Sequence, residues 1–329
     1  MIKNLEVKNF KSIKHLKLDC KKVNIFIGKP NTGKSNILES VGLFSIRYGH
    51  LRDFVRFENM TNLFYDQEVS EKIEIIFDDI DFQTTFQNGV FSLRAYQIQT
   101  GDPRVIPGQI QNFGLDLGFE GRIISGNSQH SLPFKFYKFA IINSFNRTES
   151  DFLLPPGGEN LLQILLTHKT LRKFAIDIFS EFGLKIVLEP YEKKIKVQKE
   201  EEGVAISYPY SLISDTLQRV VFYFTAIETN KNSILIFEEP EAHTFPYYTK
   251  FLAEKVALDK TNQYFISTHN PYFLLSVLEK TSKDDIGIFI TYSKDYRTKI
   301  RPILEEEMTE ILDLDTSVFF NLDRFLEPE

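Results

Sequence analysis

An α/β fold organised around a mixed sheet is predicted by three features of the sequence. An apolar strand, Val23 to Ile27, runs into a glycine-containing loop and then into a helical pattern at Ile37, Leu38, Val41 and Phe44. Continuous apolar segments return late in the chain, SILIF at 233 to 237, QYFIS at 263 to 267 and GIFITY at 287 to 292, as expected of strands buried on both faces of a parallel sheet. From about 70 to 145, KIEIIF, VFSLRAYQI, FGLDLGF and FKFYKFAII read as strands separated by the turn clusters QNG, GDP and SGNSQ, which predicts an antiparallel portion.

The remaining elements fit around these. Residues 2 to 9 and 13 to 19 alternate apolar with polar across the turn-like NFKSI, which predicts a hairpin. Pro155, Pro156, Gly157 and Gly158 close the linker-like stretch SFNRTESDFLLPPGGEN, after which a helical pattern spans 159 to 181. Strand-like GLKIVLEP and KKIKVQKE follow, then an acidic turn at 200 to 203 and a helix with apolar Leu217, Val220, Val221 and Phe224. This organisation predicts two lobes: residues 1–148 with 230–329, and an inserted, mainly helical lobe at 149–229. No repeat and no long heptad run interrupts it.

With 42% hydrophobic and 26% charged residues among 329, the chain has material for a sizeable core and is not a disordered one. Thirty-one Phe and no Trp, spread along the whole length, read as core filling rather than as a base-stacking platform. The lone Cys20 excludes an internal disulfide and suits a reducing compartment. No apolar run reaches the roughly 20 residues that span a bilayer, and MIKNLEVKNF lacks a signal core, so a cytoplasmic protein is expected. A net charge of −6 excludes a surface basic all over; Lys3, Lys8, Lys11, Lys14, Lys17, Lys21 and Lys22 form either a local nucleic-acid patch or the solvated side of two strands.

The chemistry gathers at three strand ends. Residues 28 to 35, GKPNTGKS, match G-x-x-x-x-G-K-[ST] between a strand and a helix. Gly28 and Gly33 let the backbone curl so that the loop residues Lys29, Pro30, Asn31, Thr32 and Asn36 surround the nucleotide, with backbone N–H groups pointing at phosphate oxygens beside a helix N-terminus. Lys34 would reach the β- and γ-phosphates of ATP, and the Ser35 hydroxyl would ligate Mg²⁺. At the end of the 233–237 strand, Glu238 is placed to hold Mg²⁺ through water and Glu239 to orient or deprotonate an attacking water. After the next strand, His269 in STHNP is placed to contact the γ-phosphate, whereas His243 reads as a turn residue.

Together NFKSI, GKPNTGKSNILES, LISDTLQR, ILIFEEPEAHTFP and ISTHNPYFLL resemble the ABC-type ATPases of the SMC, RecF and OLD group. The resemblance is concentrated at both ends of the chain. It implies a P-loop NTPase of ABC type with an inserted helical lobe, nucleotide contacts from Lys11, and ATP sandwiched between two subunits. Ser214, in the place of the family's signature motif, would then meet the γ-phosphate held by a partner copy. The signature departs from the pattern: Asp215 and Thr216 stand where glycine is usual, Glu238 replaces the more frequent Asp, and Pro30 a common Asn. The glutamine that follows the sheet in most relatives is expected near Asn143 to Arg147.

The function implied is a slow, Mg²⁺-dependent ATPase that forms an ATP-dependent homodimer. It would act on DNA or on a separately encoded effector, a nuclease or toxin, in genome maintenance or anti-phage defence. With no heptads there are no SMC arms, and about 60 residues after His269 are too few for a TOPRIM nuclease domain. An ATP-gated scaffold without turnover and a transporter's nucleotide-binding subunit are the alternatives.

Overall fold

The structure, a computed structural model, describes residues 1–98, 108–128, 133–146 and 148–326, without the side chains of 111, 112, 127 and 128. The chain opens with the expected hairpin, β1 (Asn4–Phe10) and β2 (Ile13–Asp19), whose turn holds Lys11 at φ 50°. Next come β3 (Val23–Gly28), α1 (Lys34–Gly42) and a short α2 (Leu51–Phe54). A meander follows: β4 (Ile73–Phe77), β5 (Ile80–Gln87), β6 (Val90–Gln97), β7 (Gly108–Leu117) and β8 (Ile123–Ser128). With β2 and β1 these make a seven-stranded antiparallel sheet in the order β2-β1-β4-β5-β6-β7-β8.

The second sheet has six strands, in the order β16-β15-β3-β14-β13-β9. Its members are β9 (Phe134–Tyr137), β13 (Ile234–Glu238), β14 (Gln263–Ser267), β15 (Ile286–Lys294) and β16 (Arg297–Pro302), around β3. All neighbours are parallel except β15 and β16, which form a hairpin. Every residue of β3, β9 and β14 is buried, as two-sided burial in a parallel sheet requires.

Side-chain alternation across this sheet separates two cores. Phe26, Ile236, Phe265 and Phe289 face α1 and the antiparallel sheet, and Phe26 stacks on Phe289 at 5.4 Å. Val23, Ile25, Ile27, Phe237 and Ile266 face the helices α3 (Leu161–Thr167), α4 (Lys169–Ser180), α5 (Asp215–Thr229), α6 (Pro246–Leu258) and α7 (Pro271–Lys280). A last helix, α8 (Glu305–Leu314), adds Met308 and Ile311 to that second core. Phenylalanine fills both cores, for example where Phe44 meets Phe77, Phe82 and Phe134.

Three local expectations are corrected. FKFY is not part of the antiparallel sheet: it pairs parallel with β13, Phe134 opposite Ile234, and the strand stops at Tyr137. The helical stretch 159–181 is two helices, broken at His168, whose backbone is extended at φ −102°, ψ 101°. Beyond β10 (Lys185–Glu189) and β11 (Lys194–Glu201), a further strand β12 (Val204–Pro209) completes a three-stranded sheet. The acidic turn closes onto it with Glu202 and Gly203 both at positive φ.

Candidate nucleotide site

The loop after β3 is shaped by close approach to the β15–β16 hairpin. A Cβ on Gly28 would lie 2.4 Å from the Thr291 carbonyl oxygen, and one on Gly33 2.0 Å from Thr298 Oγ1; Gly33 also sits at φ 95°. Both positions exclude a side chain. Thr32 Oγ1 donates to the Lys29 carbonyl at 2.8 Å and meets Thr291 Oγ1 at 2.6 Å. On the other side Thr298 N–H donates to the Ser12 carbonyl at 2.9 Å, and Asn36 Nδ2 donates to Ser12 Oγ at 2.6 Å. Helix α1 begins with no side-chain cap, so its first amides stay available to a ligand at its positive end.

Lys34 folds back into this loop. Its ammonium donates to the Gly28 and Lys29 carbonyls, each at 2.9 Å, and the residue is only 6% exposed. Burial pulls its pKa down to about 8, with Glu239 and Glu238 opposing the shift. By contrast, the side chain of Lys29 turns away to Asp323, 2.8 Å distant.

Strand β13 delivers the carboxylates. Glu238 stands opposite Ser267 of β14, and Glu239, at φ 47°, donates its amide to the Ser267 carbonyl at 3.0 Å. His269 follows β14, and its Nε2 lies 3.5 Å from Glu239 Oε1. Burial, then the nearby charge of Lys34, hold this imidazole below its usual range, while Glu239 works against them. The ring is therefore neutral at neutral pH.

Part of this set lines one cavity of about 480 Å³, within the size range of small-molecule sites. Pro30, Asn31, Thr32, Gly33, Lys34, Ser35 and Asn36 form one wall, and Glu239, Ser267 and His269 face them. A larger cavity of about 710 Å³, between β2, β15 and α8, contains none of these residues.

Other expected residues stand outside that lining. Glu238 lies 3.5 Å from the Arg56 guanidinium. Lys11 pairs with the fully buried Glu39 and donates to the Arg56 carbonyl at 2.6 Å. Ser214 begins α5 beside a separate apolar concavity with Leu212, Phe245 and Tyr247. Its neighbour Asp215 is bound to Arg219 at 2.9 Å, which offsets the negative charge. Residues 143–146 dock through Phe145 N–H on the Lys193 carbonyl and Asn146 N–H on the Glu159 carbonyl; Arg147 lies outside the described residues.

Sequence reasoning assigned no role to several contributors, Ser12 and Thr298 of the lining among them. Arg56, Ser293 and Tyr296 line the cavity from afar in sequence. Glu241, 4% exposed, accepts from Thr268 Oγ1 at 2.5 Å and ties the turn after β13 to the loop bearing His269. Burial pushes its carboxyl up to about 7, and its Oε2 has no partner among the described residues. Only Glu241 left a signal, as the third acid of EEPEAH.

A glycine loop between a parallel strand and a helix, faced by acids and a histidine on the neighbouring strand ends, defines a P-loop nucleotide-binding fold. The family model described as AAA ATPase domain matches residues 1–87 and 159–274, more than half of the chain, and the chain belongs to that family. An ATP/GTP phosphatase of Helicobacter pylori (strain ATCC 700392 / 26695) is 31% identical over 123 residues, 33% of this chain and 32% of the relative. The match thus spans about a third of that curated relative's length.

Among solved structures, an SMC head bound to the C-terminal winged-helix domain of ScpA aligns over 94% of this chain and 99% of its own, with a TM-score of 0.54 and 15% identity. An SMC head with an extended coiled coil, bound to the C-terminal domain of ScpA from Pyrococcus furiosus, aligns over 95% and 98%, with a TM-score of 0.51 and 14% identity. The protein is an AAA ATPase domain protein with the fold of an SMC head. No helix among the described residues is long and apolar enough to cross a membrane.

Proposed function

We propose that this protein binds ATP with Mg²⁺ at the 28–36 loop and hydrolyses it slowly. The observation that carries the proposal is the convergence of Glu239 and His269 on the cavity wall facing Lys34 and the α1 N-terminus. The loop amides and Lys34 bind the triphosphate end. Glu239, 44% exposed at its side chain, accepts a proton from, or orients, the water that attacks the terminal phosphate. His269, neutral, hydrogen-bonds that phosphate and registers which nucleotide is present. Ser35 and, through water, Glu238 would hold Mg²⁺, which would neutralise charge on the phosphates. Among the described residues no three His, Cys, Asp or Glu side chains gather to hold a metal, so the donor set suits an ion that keeps phosphate and water ligands.

Ser214 acts in a partner copy rather than in its own, since it opens a helix away from this cavity. ATP binding therefore brings two copies together, with residues 1–148 and 230–329 as the nucleotide lobe and 149–229 as the lobe that presents Ser214. The downstream target is DNA or a separately encoded effector, in genome maintenance or antiviral defence; SMC heads in complex with ScpA domains support a partner-linked role.

Steady-state phosphate release with Mg²⁺ and ATP, compared between wild type and Glu239→Gln while light scattering reports mass, tests this reading. Loss of turnover with an ATP-stabilised dimer is expected. Unchanged turnover removes Glu239 from its role, and no turnover in the wild type favours an ATP-gated scaffold.

A further inference from the structure

Tyr296 is 96% exposed, yet it belongs to the lining of the phosphate cavity. It forms, with Asp295, the two-residue turn of the β15–β16 hairpin, where Lys294 pairs with Arg297. Both turn residues have left-handed backbones, φ 51° for Asp295 and 60° for Tyr296. A two-residue hairpin turn asks for positive φ at both positions, which an aromatic residue adopts at a cost that the flanking contacts must offset. Here they do. Thr298, two residues on, is bonded to Ser12 and packed on Gly33, and Thr291, before the turn, is bonded to Thr32. The hairpin tip is therefore held in register with the phosphate loop from both of its strands.

Among the described residues no other aromatic ring packs on Tyr296. Beside it the charges are mixed: Arg297 donates to the Tyr65 hydroxyl at 3.3 Å and lies near the Asp295 and Asp66 carboxylates, and the Lys14 ammonium lies 5.2 Å from the Tyr65 ring centre. Loop amides and Lys34 occupy the closed end of the cavity, which takes the anionic end of a ligand. An open aromatic face at its mouth is then left for the planar end.

We propose that Tyr296 is the residue on which the nucleotide base stacks. The inference rests on the reading of this cavity as a nucleoside triphosphate site and adds the group that separates nucleotides from bare polyphosphate. Stacking uses the π-face that every base carries, so ATP and GTP are served alike.

Binding of Mg²⁺-ATP and of Mg²⁺-tripolyphosphate to wild type, Tyr296→Ala, Tyr296→Trp and Lys34→Ala, followed by calorimetry, tests it. A second readout is quenching of 2-aminopurine riboside triphosphate at saturation. Tyr296→Ala is expected to weaken ATP roughly ten-fold, the scale of one base–aromatic stack, to leave tripolyphosphate unchanged and to lose the quench. Tyr296→Trp should retain all three, whereas Lys34→Ala should weaken both ligands. An unchanged ATP affinity with the quench intact in Tyr296→Ala overturns the proposal, and so does equal loss of both ligands, which would mark a structural role for the hairpin. A wild type that binds tripolyphosphate and ATP equally also overturns it while leaving the phosphate site standing; binding of neither refutes the nucleotide reading itself.

Discussion

Raising the pH from 7 to 9 is expected to weaken triphosphate binding about ten-fold through a single proton on Lys34. Burial holds that ammonium to a pKa of about 8, and its bonded partners among the described residues are the Gly28 and Lys29 carbonyls. A bound triphosphate brings several negative charges to the same place and keeps the ammonium protonated. With a free pKa of about 8, roughly nine-tenths of the sites are charged at pH 7 and roughly one-tenth at pH 9, and the ratio is the loss of affinity. Reciprocity then requires uptake of about 0.9 proton per nucleotide at pH 9, against about 0.1 at pH 7. His269 adds little over this range because its pKa is already lowered. Glu241, pushed up to about 7, titrates at the lower end, so the measurement at pH 9 decides. Calorimetry in buffers of different ionisation enthalpy counts the proton, and Lys34→Arg, permanently charged, should show none at pH 9. Uptake below about 0.3 proton in the wild type, or equal uptake in Lys34→Arg, refutes the argument.

Two further outcomes follow from the same geometry. Gly33→Ala should lose roughly 1–3 kcal/mol of stability and most nucleotide binding, because the alanine is strained at φ 95° and meets Thr298 at 2.0 Å; adding Thr298→Ala should restore part of the stability in thermal melts, and no recovery would mean that the clash is not the cause. Glu241 has a folded pKa of about 7 against 4.5 ordinarily, so its contribution to stability is fully present below 4.5 and lost as pH rises to about 7, at most about 3 kcal/mol in all. Glu241→Gln should therefore gain on the wild type between pH 5 and pH 8 in urea titrations, and a difference independent of pH would refute the assignment.

The local half of this site was legible because it is written in backbone demands. Gly28 and Gly33 occupy conformations that tolerate no side chain, and the apolar runs around 25, 236 and 265 are what two-sided burial selects. Distant partners left no such mark. Thr291 and Thr298 read as ordinary strand residues, and Arg56 as one charge in a loop; pairing of β15 with β3 brings Thr291 to Gly28, and pairing of β16 with β15 brings Thr298 to Gly33. Strand β9 was misplaced because FKFY carries no signal separating an antiparallel strand from a parallel one. Every one of its residues is buried, which becomes visible only once β13 lies beside it.

Register is what joins the two halves of the site. β3 lies between β14 and β15, with Phe26 opposite Ser267 and Gly28 opposite Thr291, while β13 sets Glu238 opposite Ser267. Alternate residues of β13 feed different cores: Ile234 and Ile236 face the antiparallel sheet, Leu235 and Phe237 the helices. A slip of one residue in β13 would exchange those sets, driving Phe237 into the space of Ile236, and would carry Glu239 past the loop that holds His269. The separation of 3.5 Å between these two groups thus depends on core packing at the preceding residues of β13 as well as on the Glu239–Ser267 and Thr268–Glu241 bonds. Volume changes at Ile236 or Phe237 should accordingly impair phosphate release more than they weaken nucleotide binding, since Lys34 and the glycine loop depend on β3 and the β15–β16 hairpin instead.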